Sequence, residues 1–283
     1  MQTRIIAMNR LRMLLPVALA ALLLPTPVAA QSAEPAWQSG KWQFAATLYG
    51  WVPTIDGTVN YPGDSGSSGL HVNAANVFSH LKMFFQGALD AHNGRWGIFN
   101  DIVYVDLGGN KSQSRDFSVG NVGLPATATA DLNLDIKSLI WTVAGEYRVA
   151  TDPAWTVDVL GGARLLGMKP TLGYSITGEI GSVAIPGGRN GSKQLNEHLW
   201  DGIVGVKGQY AFGDDHKWFA PFYLDVGTGQ TQLTWQGATG VGYAFSWGEV
   251  VAVYRYLDYK NKSGKPIEDM TMKNPQLGVT LRF

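Results

Sequence analysis

Over residues 270–283 the side chains alternate: Leu277, Val279, Leu281 and Phe283 share one face, and Gln276, Gly278, Thr280 and Arg282 the other. A period of two is that of a β-strand with one apolar face. The same alternation recurs upstream and predicts ten strands, with eight or twelve as the neighbouring counts. They span 41–53, 81–92, 96–107, 129–149, 155–173, 194–212, 218–227, 232–245, 250–259 and 270–283. Asn93-Gly94 is a strong hairpin signal, and further short turns fall at 150–153, 213–216, 229–231 and 246–248. Long connections rich in Gly, Ser or charge occupy 54–80, 108–128, 174–192 and 260–269, with a short helical turn expected near 73–79.

Two features turn these strands into a transmembrane barrel. Aromatic residues gather beside the short turns: Trp96, Tyr147, Trp155, Phe212, Trp218, Phe245, Trp247 and Phe283. They fit an interfacial girdle at one end of a cylinder. Short and long connections also alternate for most of the chain, as where short turns face the periplasm and long loops face outside. The expected fold is therefore all-β, a closed transmembrane antiparallel β-barrel. A secreted β-sandwich would alternate as well, but it gives no reason for the aromatic clustering or the loop asymmetry. At the N-terminus Arg4, Arg10 and Arg12 precede an apolar run and then Val28-Ala29-Ala30, the pattern of a cleaved secretory signal. The expected organisation is a signal peptide at 1–30, a short tail at 31–40 and the barrel at 41–283.

The closing strand with its terminal Phe resembles that of bacterial outer-membrane β-barrels. In that class the last strand, here Leu277, Val279, Leu281 and Phe283, is the signal read by the barrel-assembly machinery. Thr234-Trp235-Gln236, Gly242-Tyr243-Ala244-Phe245 and Tyr254-Arg255-Tyr256-Leu257 resemble blocks in uncharacterised proteobacterial outer-membrane proteins of similar length. The resemblance implies an outer-membrane location, and lipid, lipopolysaccharide, assembly machinery and periplasmic chaperones as partners of a monomer. It implies no activity and no cofactor.

Composition adds exclusions. The chain has no Cys, so disulfides and thiolate metal sites are ruled out. Its 22 basic and 22 acidic residues cancel, and nothing suggests the basic face a nucleic-acid partner requires. On the polar parity of each strand the lumen receives the acids Asp90, Asp101, Glu146, Asp158, Asp201 and Asp225. The bases expected there are Lys82, Arg148, Arg164, Lys207, Arg255 and Arg282. Equal numbers favour a charge-paired plug, since an unpaired buried charge costs several kcal/mol. The expected role is structural, or binding through the long outer loops. A narrow solute channel is the alternative, and a rim hydrolase the weakest reading. No Ser-His-Asp spacing occurs, and Glu197 and His198, as strand neighbours, point to opposite faces. Asp214-Asp215-His216 reads as a solvated turn, and the expectation is a protein without enzymatic activity, cofactor or metal.

Overall fold

A computed structural model describes residues 40–60, 67–108, 128–180, 183–184, 189–194, 196–263, 265 and 267–283. The expected signal peptide lies outside the described residues. In chain order the elements are β1 (Trp42–Trp51), β2 (Thr54–Asn60), β3 (Ser67–Val72), α1 (Ala74–Ser79), β4 (Leu81–Asn93), β5 (Trp96–Gly108), β6 (Ala128–Thr151) and β7 (Trp155–Ile180). There follow β8 (Val183–Ala184), β9 (Arg189–Gln194), β10 (Glu197–Phe212), β11 (Trp218–Gly229), β12 (Leu233–Ala244), β13 (Glu249–Lys260) and β14 (Ile267–Arg282).

Ten of these strands form a closed antiparallel barrel in the order β1, β4, β5, β6, β7, β10, β11, β12, β13, β14, and β14 returns to β1. Each barrel strand overlaps a strand expected from the alternation, and α1 falls where the helical turn was expected. The seam is fastened at its lower end by Phe44 and Phe283, whose backbone groups exchange two hydrogen bonds of 2.8 and 2.9 Å while their rings stack at 5.8 Å.

The long connections hold more structure than their composition suggested. Residues 54–60 and 67–72 pair as the antiparallel β2 and β3, and β2 adds to β14 above the point where β1 leaves it. At that departure the Gln86 side chain accepts from the Trp51 N–H at 2.6 Å and donates to the Trp51 carbonyl at 2.8 Å, so both backbone groups of Trp51 are satisfied as the strand bends away. The expected loop at 174–192 is in part the continuation of β7 to Ile180, with β9 paired along it. Strands β6 and β7, of 24 and 26 residues, far exceed the ~9–11 needed to cross a bilayer, so their hairpin rises above it.

The outer wall is apolar. Leu48, Val204, Leu224 and Leu277 are each more than half exposed, which suits lipid and not water. Aromatics mark both edges of this wall. Near the short turns Trp96 packs on Tyr147, Trp155 on Tyr210 and Trp218 on Tyr243. A second belt, not anticipated from the sequence, is formed by Trp141 with Trp200 and by Trp235 with Tyr256. Leu165 lies in register between Trp141 and Trp200 and stands ten residues along β7 from Trp155. At about 3.3 Å per residue and a tilt near 40°, that is roughly 25 Å of height, the apolar band of such barrels.

Candidate functional site in the barrel interior

Inward side chains stack in three tiers. The lowest, beside the short turns, centres on His92. Its Nε2 lies 3.0 Å from Glu146 Oε2, 3.2 Å from Asp90 Oδ1 and 3.6 Å from Asp158 Oδ2. Lys207 bridges Asp90 and Glu146, the latter at 2.9 Å, and its ammonium sits 4.4 Å from the Phe99 ring centre. Arg148 holds Asp158 through two donors at 2.8 and 3.0 Å. The backbone of Gly97 leaves room for the imidazole, because a Cβ there would fall within 2.5–2.7 Å of the His92 ring.

The middle tier holds two buried arginines. Arg255 donates to Asp101 at 2.7 Å, to Tyr49 at 3.1 Å and to Gln236 at 2.8 and 3.2 Å, and its guanidinium lies 4.7 Å from the Trp51 ring centre. Tyr49 in turn donates to Asp101. Arg164, fully buried, pairs with Asp225 and donates to Thr142 at 3.2 Å and Thr234 at 3.5 Å. Tyr223 also donates to Asp225. Asp201 is next to Arg164 in register, yet its Oδ1 accepts from the Thr231 N–H at 2.9 Å and its Oδ2 has no hydrogen-bond partner among the described residues. Register neighbours and ion-pair partners therefore differ, because curvature brings together side chains from strands that are not adjacent.

Above the arginines the lumen becomes apolar. Trp51, Val103, Ile140, Leu166, Leu199, Leu257, Tyr259, Met270 and Met272 form one buried cluster across it. Sequence reasoning missed this tier, since it assigned the lumen by polar parity. The available signal was a doublet such as Leu139-Ile140 or Leu165-Leu166, where both faces of a strand are apolar at once.

The expected balance of six acids and six bases also needs correction. Lys82 is exposed and pairs with Asp135 at 2.5 Å on the rim. Arg282 is held by Glu249 at 2.8 Å, an acid the parity list omitted. The six acids Asp90, Asp101, Glu146, Asp158, Asp201 and Asp225 thus face four permanent cations, Arg148, Arg164, Lys207 and Arg255, with His92 the further group able to carry charge. Asp90, His92 and Glu146 offer ligand atoms within 4.8 Å of one another, but Lys207 engages both carboxylates and Arg148 stands 3.4 Å from His92 Nε2, so the tier already carries its own cations. Outside the lumen, Asp215 pairs with Lys217 at 3.2 Å in an exposed turn, and Glu197 and His198 do point to opposite faces: Glu197 meets Lys265 at 3.7 Å, while the His198 ring lies over Gly167.

Among solved structures, the outer membrane protease OmpT from Escherichia coli aligns with a TM-score of 0.51 at 10% identity, over 87% of this chain and 98% of that one. The shared architecture is the outer-membrane β-barrel. At this identity the likeness is one of fold alone. Ail of Yersinia pestis aligns at a TM-score of 0.31 with 10% identity, covering 86% of this chain and 98% of that one. Neisserial surface protein A aligns at 0.29 with 13% identity, covering 86% and 97%. Scores this low add nothing to the argument. No protein-family model matches the chain, and no curated protein matches it in sequence.

Proposed function

We propose that the chain is an integral barrel of the bacterial outer membrane that neither conducts solutes nor catalyses a reaction, and that acts as a structural element or binds through its outer end. One observation carries this reading: the lumen is filled from the His92 tier, through the two arginines, to the apolar cluster, with Arg164, Leu257, Tyr259 and Trp51 at 0–1% exposure. A water path would have to cross a tier made of Leu, Ile, Val and Met, where an ion would lose hydration at a cost of several kcal/mol or more. The reading extends to export by the signal peptide at 1–30, to the blocks resembling uncharacterised outer-membrane proteins, and to a monomer inserted by the barrel-assembly machinery with the help of periplasmic chaperones. Planar-bilayer recording of the refolded protein tests it. A silent membrane is the expected result, and discrete conductance steps would replace the plug with a narrow channel.

A further inference from the structure

Two lysines meet on the outer wall. Lys137 on β6 and Lys169 on β7 are direct cross-strand partners. Their inward neighbours Ile136 and Met168 pack in or against the buried cluster, so by the strand period both lysines face outward. Each is exposed. Like charges directly opposite on antiparallel strands destabilise the pair, so their juxtaposition asks for an anion. Lys137 has Asp106 at 3.5 Å, and the nearby Asp135 is taken by Lys82. Lys169 has no ion-pair partner among the described residues, which leaves one excess cation on this part of the wall. His198 adds a third basic group: it pairs in register with Gly167, two residues below Lys169, and its ring covers that glycine.

The height of the group identifies its partner. Trp141 and Trp200 form the upper aromatic belt, and Lys137 and Lys169 each stand four residues above it, counting Lys169 from Leu165. Four residues at about 3.3 Å, tilted near 40°, place the ammonium groups roughly 10 Å above the apolar band. That zone is occupied by lipid headgroups, where the available anion is phosphate. Short turns face the periplasm, so this end faces the outer leaflet. Two ammonium groups on neighbouring strands and the imidazole beside them offer three donors, one for each terminal oxygen of a phosphomonoester, where a phosphodiester has two such oxygens.

We infer that Lys137, Lys169 and His198 form a binding site for the phosphate of a phosphorylated glycolipid, the lipopolysaccharide of the outer leaflet. The inference rests on the outer-membrane reading above. The test compares the refolded wild-type barrel with Lys137→Gln/Lys169→Gln and with the single variant Lys169→Gln, which is milder to folding. Melting temperature is followed as lipopolysaccharide, the same lipid after dephosphorylation, or a phosphodiester phospholipid is added to the micelle. Lipopolysaccharide is expected to raise the melting temperature of the wild type by several degrees, the double variant to lose most of that rise and the single variant about half. In detergent alone both variants should melt at or above the wild type, because like-charge repulsion is relieved. An equal rise in the variants, or an equal rise with the dephosphorylated lipid or the phospholipid, would overturn the site. Failure of the wild type to insert into lipid vesicles as a heat-modifiable band would instead remove the outer-membrane reading itself.

Discussion

Replacing Arg164 with Met tests how charge is distributed inside the barrel. Arg164 is fully buried and faces Asp225, its ion-pair partner, with Asp201 beside it in register. Arg164→Met leaves Asp225 without its cation in a wall that excludes water, and loss of the cation from a buried pair costs about 3–5 kcal/mol. Asp225→Asn is different. It leaves the guanidinium with Thr142, Thr234 and the neighbouring Asp201, so the cost falls toward the ~1–3 kcal/mol of a weakened charged hydrogen bond. The double variant should cost less than the two single losses added, with a coupling energy of about 1–3 kcal/mol. The same cycle on Arg164 and Asp201 should give a smaller value, because Asp201 is anchored to the Thr231 amide. Urea unfolding of the refolded barrel, followed by tryptophan fluorescence, supplies all six stabilities. The reasoning fails if Asp225→Asn costs as much as Arg164→Met, for then the interior is not short of cations.

Val204, 62% exposed at mid-height on the outer wall, should cost about 2–4 kcal/mol when changed to Arg in lipid, measured by the same unfolding assay; no loss would argue for water on that face. Gly97→Ala should cost about 1–3 kcal/mol through the collision with His92, whereas Gly50→Ala, whose Cβ meets nothing within 4 Å, should be close to neutral. The hydrogen bond from His71, with help from Lys273, holds the Asp56 carboxyl on the β2–β3 extension below the ordinary carboxylate range. Its small contribution to stability is therefore complete above the unfolded value near 4 and lost as pH falls through the lower folded one. Thermal melts between pH 6 and pH 2 should show a shallower acid limb for Asp56→Asn, and identical limbs would refute the assignment.

The barrel strands were legible because a membrane wall enforces alternation: Trp42, Phe44 and Leu48 must meet lipid while Tyr49 turns inward, and hairpins such as Asn93-Gly94 punctuate the runs sharply. The β2–β3 hairpin escaped notice because it stands clear of the apolar band, so Thr54-Ile55-Asp56-Gly57-Thr58 carries no strong contrast between its faces. The acids and bases of the lumen were mostly named by parity, but their pairing was not. Arg255 on β13 reaches Tyr49 two strands away on β1 and Asp101 four strands away on β5, and one-dimensional spacing has no access to the curvature that brings them together. The apolar tier was hidden for a related reason. A residue such as Leu166 looks the same in sequence whether it faces a lipid tail or Leu199.

The seam between β1 and β14 bears on how the molecule folds. Thr47 and Thr280 share a hydrogen bond of 2.8 Å across 233 positions of the chain, whereas β4 and β5 meet across the two-residue turn Gly94-Arg95, one residue beyond the Asn93-Gly94 expected from the sequence. Contacts so distant along the chain carry the largest loop-closure entropy and slow the reactions that depend on them. The hairpins can therefore assemble early and neighbour by neighbour, while the ring closes last. Until it does, the arginines of the lumen face water on one side and keep their hydration, so burial of the charged interior and closure of the wall become a single late event.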